Sequence, residues 1–161
     1  MKKTLVFTLL CALLLGMAGC GGGGGGKEFI TLVCDGGKEI TLGMTKDAID
    51  KKIGAGEVTA SDSDGSTVKY ADVSVEAKFN RAGNAIQFSI LDEPTETALK
   101  VGINRNMSKD EIRAVADTDP DVTLIDGIDL VFNKTVNGEA YTIVCSYFGG
   151  NTLYSLLLYA E

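Results

Sequence analysis

The chain has 161 residues, 15 basic against 22 acidic side chains, and neither histidine nor tryptophan. A net charge of −7 offers no electrostatic footprint for nucleic acid, whose binding depends on neutralising phosphates. Without histidine the commonest general base and metal ligand near neutral pH is missing, which excludes Ser-His-Asp and Cys-His nucleophile systems and most zinc sites.

Residues 1–19 read as a secretory leader. Lys2 and Lys3 are followed by an uncharged apolar run and then by the small residues Gly16, Ala18 and Gly19. The apolar stretch, residues 4–18, is shorter than the roughly 20 residues that span a bilayer. Its end, Met17-Ala18-Gly19-Cys20, resembles the bacterial lipobox, and that resemblance implies that Cys20 carries a diacylglycerol and becomes the first residue after cleavage. The expected product is exported and lipid-anchored on the extracytoplasmic side of the cell membrane. It holds 13 basic against 22 acidic residues, a net charge of −9, so its contact with the lipid bilayer has to come through acylated Cys20. Residues 20–27, with glycine from 21 to 26, form the expected tether.

Cys11 leaves with the leader. Cys34 and Cys145 remain, each in a strand-like stretch, and two readings are open: a disulfide between them, which export permits, or two buried thiols.

Residues 29–34 and 39–42 flank Asp35-Gly36-Gly37-Lys38 and predict a hairpin. A helix is then predicted from Thr45, an N-cap with Met44 and Ile49 as a hydrophobic staple and Gly54 as the stop. Val73, Val75, Ala77 and Phe79 alternate with polar residues, as do Ile86, Phe88 and Ile90 beyond the turn at 81–84, the pattern of antiparallel strands. Residues 93–96 read as a linker. A second helix is predicted from Ser108, with Met107 and Ile112 as its staple and Glu111 completing a capping box, ending near Asp117 and Pro120. Strands at 128–132, 141–147 and 153–159 follow, separated by Asn137-Gly138 and Gly149-Gly150-Asn151.

The two helix starts repeat in register at an offset of 63, with Met44, Lys46, Asp47 and Ile49 matched by Met107, Lys109, Asp110 and Ile112. The expected architecture is α+β, with two tandem helix-plus-meander units, 28–96 and 97–161, sharing one continuous antiparallel sheet with short helices on one face. The signature Leu42-Gly43-Met44-Thr45-Lys46-Asp47-Ala48-Ile49, ending at Gly54, resembles the repeat of the β-lactamase-inhibitor-protein-like and SmpA/OmlA (BamE-like) lipoproteins. That resemblance implies a tandem fold and marks a folding nucleus rather than an active site. The second copy departs from it at Asn106 and Asp117.

Asp62-Ser63-Asp64-Gly65-Ser66 and the alternating Asp117, Asp119 and Asp121 lack the glycine and glutamate positions of a calcium loop and read as turns. No metal or cofactor is expected. Tyr141, Tyr147, Tyr154 and Tyr159 are candidates for a protein-binding sheet face, or else complete the core or cover the sheet edge. The functional expectation is a non-enzymatic protein-binding module at the membrane, with an envelope assembly scaffold as the alternative. Enzymatic chemistry would call for a deep pocket with convergent carboxylates or lysines.

Overall fold

A computed structural model describes residues 25–91, 95–148 and 152–161. The leader, Cys20 and the turn expected at 149–151 lie outside the described residues.

Residues 25–27, expected in the tether, instead belong to helix α1 (Gly25–Phe29). Phe29 is buried and pins this turn to the core, while the Thr31 hydroxyl donates to the Lys27 carbonyl at 2.7 Å. Gly26 lies so close to Val136 that an added Cβ would come within 2.9 Å of its Cγ1. Burying the aromatic outweighs the entropy that a free glycine segment would keep.

Strands β1 (Thr31–Cys34) and β2 (Lys38–Thr41) form the expected hairpin around a 3₁₀ turn at Asp35–Gly37. Helix α2 (Lys46–Ile53) starts where predicted: Thr45 Oγ1 accepts the Ala48 N–H at 3.3 Å, and Gly54 closes the helix with φ 99°. Helix α3 (Lys109–Ala116) carries the full capping box, with the Ser108 N–H donating to the Glu111 carboxylate at 2.8 Å. The methionine before each cap does more than staple. Met44 Sδ accepts the Thr41 N–H at 3.3 Å and Met107 Sδ accepts the Asn104 N–H at 3.4 Å, a weak acceptor role that leucine could not fill.

The remaining strands are β3 (Glu57–Ser61), β4 (Gly65–Tyr70), β5 (Val75–Asn80), β6 (Ala85–Ile90), β7 (Ala98–Leu99), β8 (Thr123–Asp126), β9 (Leu130–Val136), β10 (Glu139–Phe148) and β11 (Thr152–Ala160). Eight of them make one antiparallel sheet in the order β3-β4-β5-β6-β11-β10-β9-β8. Strands β6 and β11 meet at its centre, pairing Ile90 with Leu156 and Phe88 with Leu158. The first hairpin stays out of this sheet. It joins β7 in a separate three-stranded sheet, β2-β1-β7, which ties the N-terminal hairpin to the segment that leads into α3.

Strands β3, β4 and β8 carry little apolar alternation and are not predicted from sequence. Every residue of β3 is exposed, so no periodicity marks it. Strand β4 approaches its neighbour so closely that a Cβ on Gly65 would stand 1.9 Å from the Phe79 carbonyl oxygen, and only glycine fits there. Val73, expected as a strand residue, lies in a 3₁₀ turn, and Ile128 is 88% exposed in the turn between β8 and β9.

A single core gathers the inward residues of both sheets and the helices. Val75, Ala77, Phe79, Phe88, Ile90, Phe132, Ile143, Leu156 and Leu158 line one face of the large sheet. Phe29, Ile49, Ile53 and Ile112 from the helices, with Leu32, Ile40 and Leu99 from the small sheet, complete it.

Candidate functional site

The four tyrosines do not share a face. Tyr141 and Tyr147 alternate in phase with Ile143 and Cys145, both wholly buried, and are themselves 7% exposed, so they finish the core. The Tyr141 hydroxyl donates to Glu139 at 2.7 Å. Burial, then that acceptor, pushes its pKa up to about 12. The Tyr147 ring lies 5.7 Å from Lys109 Nζ, a cation–π contact, and its hydroxyl has no hydrogen-bond partner among the described residues. Pairing shifts by one residue where Ser146 faces Ser155 and Tyr147 faces Leu153, which leaves Tyr154 unpaired and 53% exposed. Tyr159 pairs with Thr142 and Gln87 on the opposite face. A bulge of this kind reverses side-chain phase along a strand, so Leu153 lies on the core face although it is six residues from the outward Tyr159.

The disulfide reading also falls. Cys34 and Cys145 are free, both buried, one at the end of β1 in the small sheet and the other mid-strand in β10. Burial raises the Cys34 thiol to about 11 and the Cys145 thiol to about 12, which suppresses the reactive thiolate.

The face turned away from the core carries a different pattern. Ile125 pairs with Val131, Val131 with Val144, and Val144 with Leu157, so one apolar residue from each of β8, β9, β10 and β11 stands in a single row. The same row continues through Ser89, Glu76 and Lys69 across β6, β5 and β4. Ile125 is 55% exposed, and the other three are half-buried. Thr142, in the neighbouring row, lies 2.7 Å from Asn133 Oδ1 and 2.6 Å from the Glu161 carboxylate. An apolar row across β8, β9, β10 and β11 therefore lies beside a polar one on the same strands. Its signal is in the sequence, as the outward partners of the core alternation, but only register aligns the four residues.

On the core side a cleft of about 620 Å³ opens between α1, the C-terminal end of α3 and β9. Phe29, Val115, Val122 and Phe132 are among its apolar walls, and Glu28, Lys100, Asp119, Asp121 and Lys134 are its charged residues. Lys134 continues the inward series Leu130, Phe132, Val136, and its side chain is only 6% exposed. It pairs with Asp119. That bond, against the burial that opposes it, holds the Asp119 carboxyl below its usual range. A lysine inside an alternating apolar series is a legible signal that the sequence reading passed over. The Asp62 turn behaves as expected, its carboxylate accepting from the Asp64 and Gly65 N–H groups at 2.8 and 3.0 Å.

No helix among the described residues is long and apolar enough to cross a membrane. No family model, curated protein or solved structure matches the chain. The resemblance of residues 42–54 to the tandem-repeat lipoproteins therefore rests on those residues alone.

Proposed function

We propose that the chain is a lipid-anchored, extracytoplasmic, non-enzymatic module that binds another protein through the outward face of its large sheet. The observation that carries this reading is the in-register row Ile125, Val131, Val144 and Leu157. Four aligned aliphatic side chains on an accessible sheet face, flanked by polar rows, have the apolar centre and polar rim of a recognition surface.

We read the fold as two tandem units, each a capped helix followed by four strands. Supporting this are the matched caps at Thr45 and Ser108 and the matched thioether contacts of Met44 and Met107. The sheet order, with the last strand of each unit at the centre, is the arrangement such a pair would take. The likeness to the BamE-like lipoproteins accords with that plan and supplies no partner.

A photo-crosslinking residue at Val131 or Leu157 should yield one defined adduct in native membranes. The same residue at Lys78, in the neighbouring polar row, should not, and Val144→Glu should abolish the adduct. Equal labelling from Lys78, or none from the apolar row, would overturn the reading. The anchor is tested separately: Cys20→Ser should leave the domain folded but uncleaved or released. A Cys20→Ser product that still fractionates as a processed, detergent-requiring protein would overturn that part.

A further inference from the structure

We propose that the cleft between α1, α3 and β9 binds a dipeptide-sized zwitterion with apolar side chains, its carboxylate on Lys134 and its ammonium on the acidic rim. This site is separate from the outward sheet face and does not depend on it.

The cleft's volume, about 620 Å³, falls within the range of small-molecule sites. Its most unusual component is Lys134. Taking an ammonium out of water costs several kcal/mol, and an apolar residue of similar size would stabilise the core as well or better. A charge kept at an inward strand position breaks the local rule that Leu130, Phe132 and Val136 obey, and such breaks mark functional positions. Asp119 takes one of the three ammonium hydrogens; the other two have no acceptor among the described residues. They are donors placed beside an open cleft.

The rim sets the rest of the ligand. Glu28 and Asp121 carry exposed carboxylates that join no ion pair among the described residues. The C-terminal turn of α3, at Val115 and Ala116, presents the negative end of the helix dipole. Lys100 is paired with Glu39 at 2.7 Å and also feels the Glu28 carboxylate, so it offsets part of this charge and leaves Asp121 as the rim carboxylate furthest from compensation. A simple anion, above all a polyphosphate, meets net negative charge here. A purely apolar guest would cover the two remaining Lys134 hydrogens and the rim carboxylates without giving them partners, at a desolvation cost. A zwitterion satisfies both signs while its side chains cover Phe29, Val115, Val122 and Phe132.

The test is calorimetric titration of the full chain in detergent with leucyl-leucine, its C-terminal amide and its N-acetyl derivative. Leucyl-leucine should bind with Kd on the order of 100 µM. The amide and the acetyl derivative should each bind at least about tenfold more weakly, having lost one charge partner. Lys134→Met should bind leucyl-leucine no better than it binds the amide, and Asp121→Asn should weaken only the ligands with a free ammonium. The proposal is overturned if leucyl-leucine shows no saturable binding up to about 5 mM, if the three ligands bind equally, or if Lys134→Met binds as the parent does. If Lys134→Met does not fold, the ligand series on the parent chain decides by itself.

Discussion

Arg105 lies half-buried in the turn ahead of α3. Its guanidinium donates to the carbonyls of Ile90, Leu153 and Tyr154, binding the end of β6 to the start of β11 where the two halves of the sheet meet. A planar fork can serve several carbonyls at once, and an ammonium cannot reproduce that geometry. Arg105→Ala should cost about 3 kcal/mol, since hydrogen bonds to charged donors are the stronger kind. In thermal unfolding that is a fall of roughly 10 °C, and Arg105→Lys should recover only part of it. The two interior thiols make a second prediction at this scale. With Cys34 near 11 and Cys145 near 12, neither should react with a disulfide reagent at mildly alkaline pH in the folded protein. Both should react promptly in denaturant without reductant; absent reaction there would mean that they are bonded.

Among the elements, the helices show how a short sequence signature converts to stability. Each is eight residues long, below the length at which an isolated helix persists, so caps and packing have to sustain it. The two caps are unequal. Ser108 and Glu111 satisfy each other's backbone donors, whereas Thr45 makes only the forward bond. Ser108→Ala should therefore destabilise by about 1.5 kcal/mol and Thr45→Ala by about 0.5–1 kcal/mol, measured by denaturant unfolding. Ser108→Ala keeps the backbone bond to Glu111, so an equal cost would mean that the hydroxyl's own bond to the Glu111 carboxylate, 2.8 Å, contributes nothing. The same scale explains what sequence could and could not locate. Strands β5, β6, β9, β10 and β11 bury one face, so alternation announces them. Strand β3 buries neither face and exists because β4 offers it an edge, information held by the neighbour and not by residues 57–61.

The whole molecule is held partly by carboxylates kept ionised in the fold. The Lys134 bond draws Asp119 down, the Arg113 bond draws Asp126 down, and the Ser108 N–H does the same for Glu111. Burial opposes the effect at Asp50, but the bonds from Lys46 and Tyr70 prevail there. Each folded value lies below its unfolded one, so the stability these groups contribute is present above the unfolded carboxyl range and lost as pH falls through the folded values. Unfolding midpoints should thus be level above about pH 5 and decline steeply below about pH 4. Asp119→Asn should flatten part of that decline, and an unchanged acid limb would show that the Lys134 pair is not among its causes.

Local chemistry is legible in one chain because its causes lie within a few residues. The positive-apolar-small order ahead of Cys20, the caps at Thr45 and Ser108, the stop at Gly54 and the turn at Asn137-Gly138 all need only neighbours, and those that fall within the described residues take their expected form. The tertiary structure decided what depends on distant partners. It turned Tyr141 and Tyr147 inward with Ile143 and Cys145, left Tyr154 outside the strand pairing at one bulge, kept Cys34 and Cys145 apart by placing them in different sheets, and gathered α1, α3 and β9 around Lys134. The physical reason is the two-residue period of a strand. A single unpaired residue exchanges one face for the other, and nothing local in the sequence records where that residue falls.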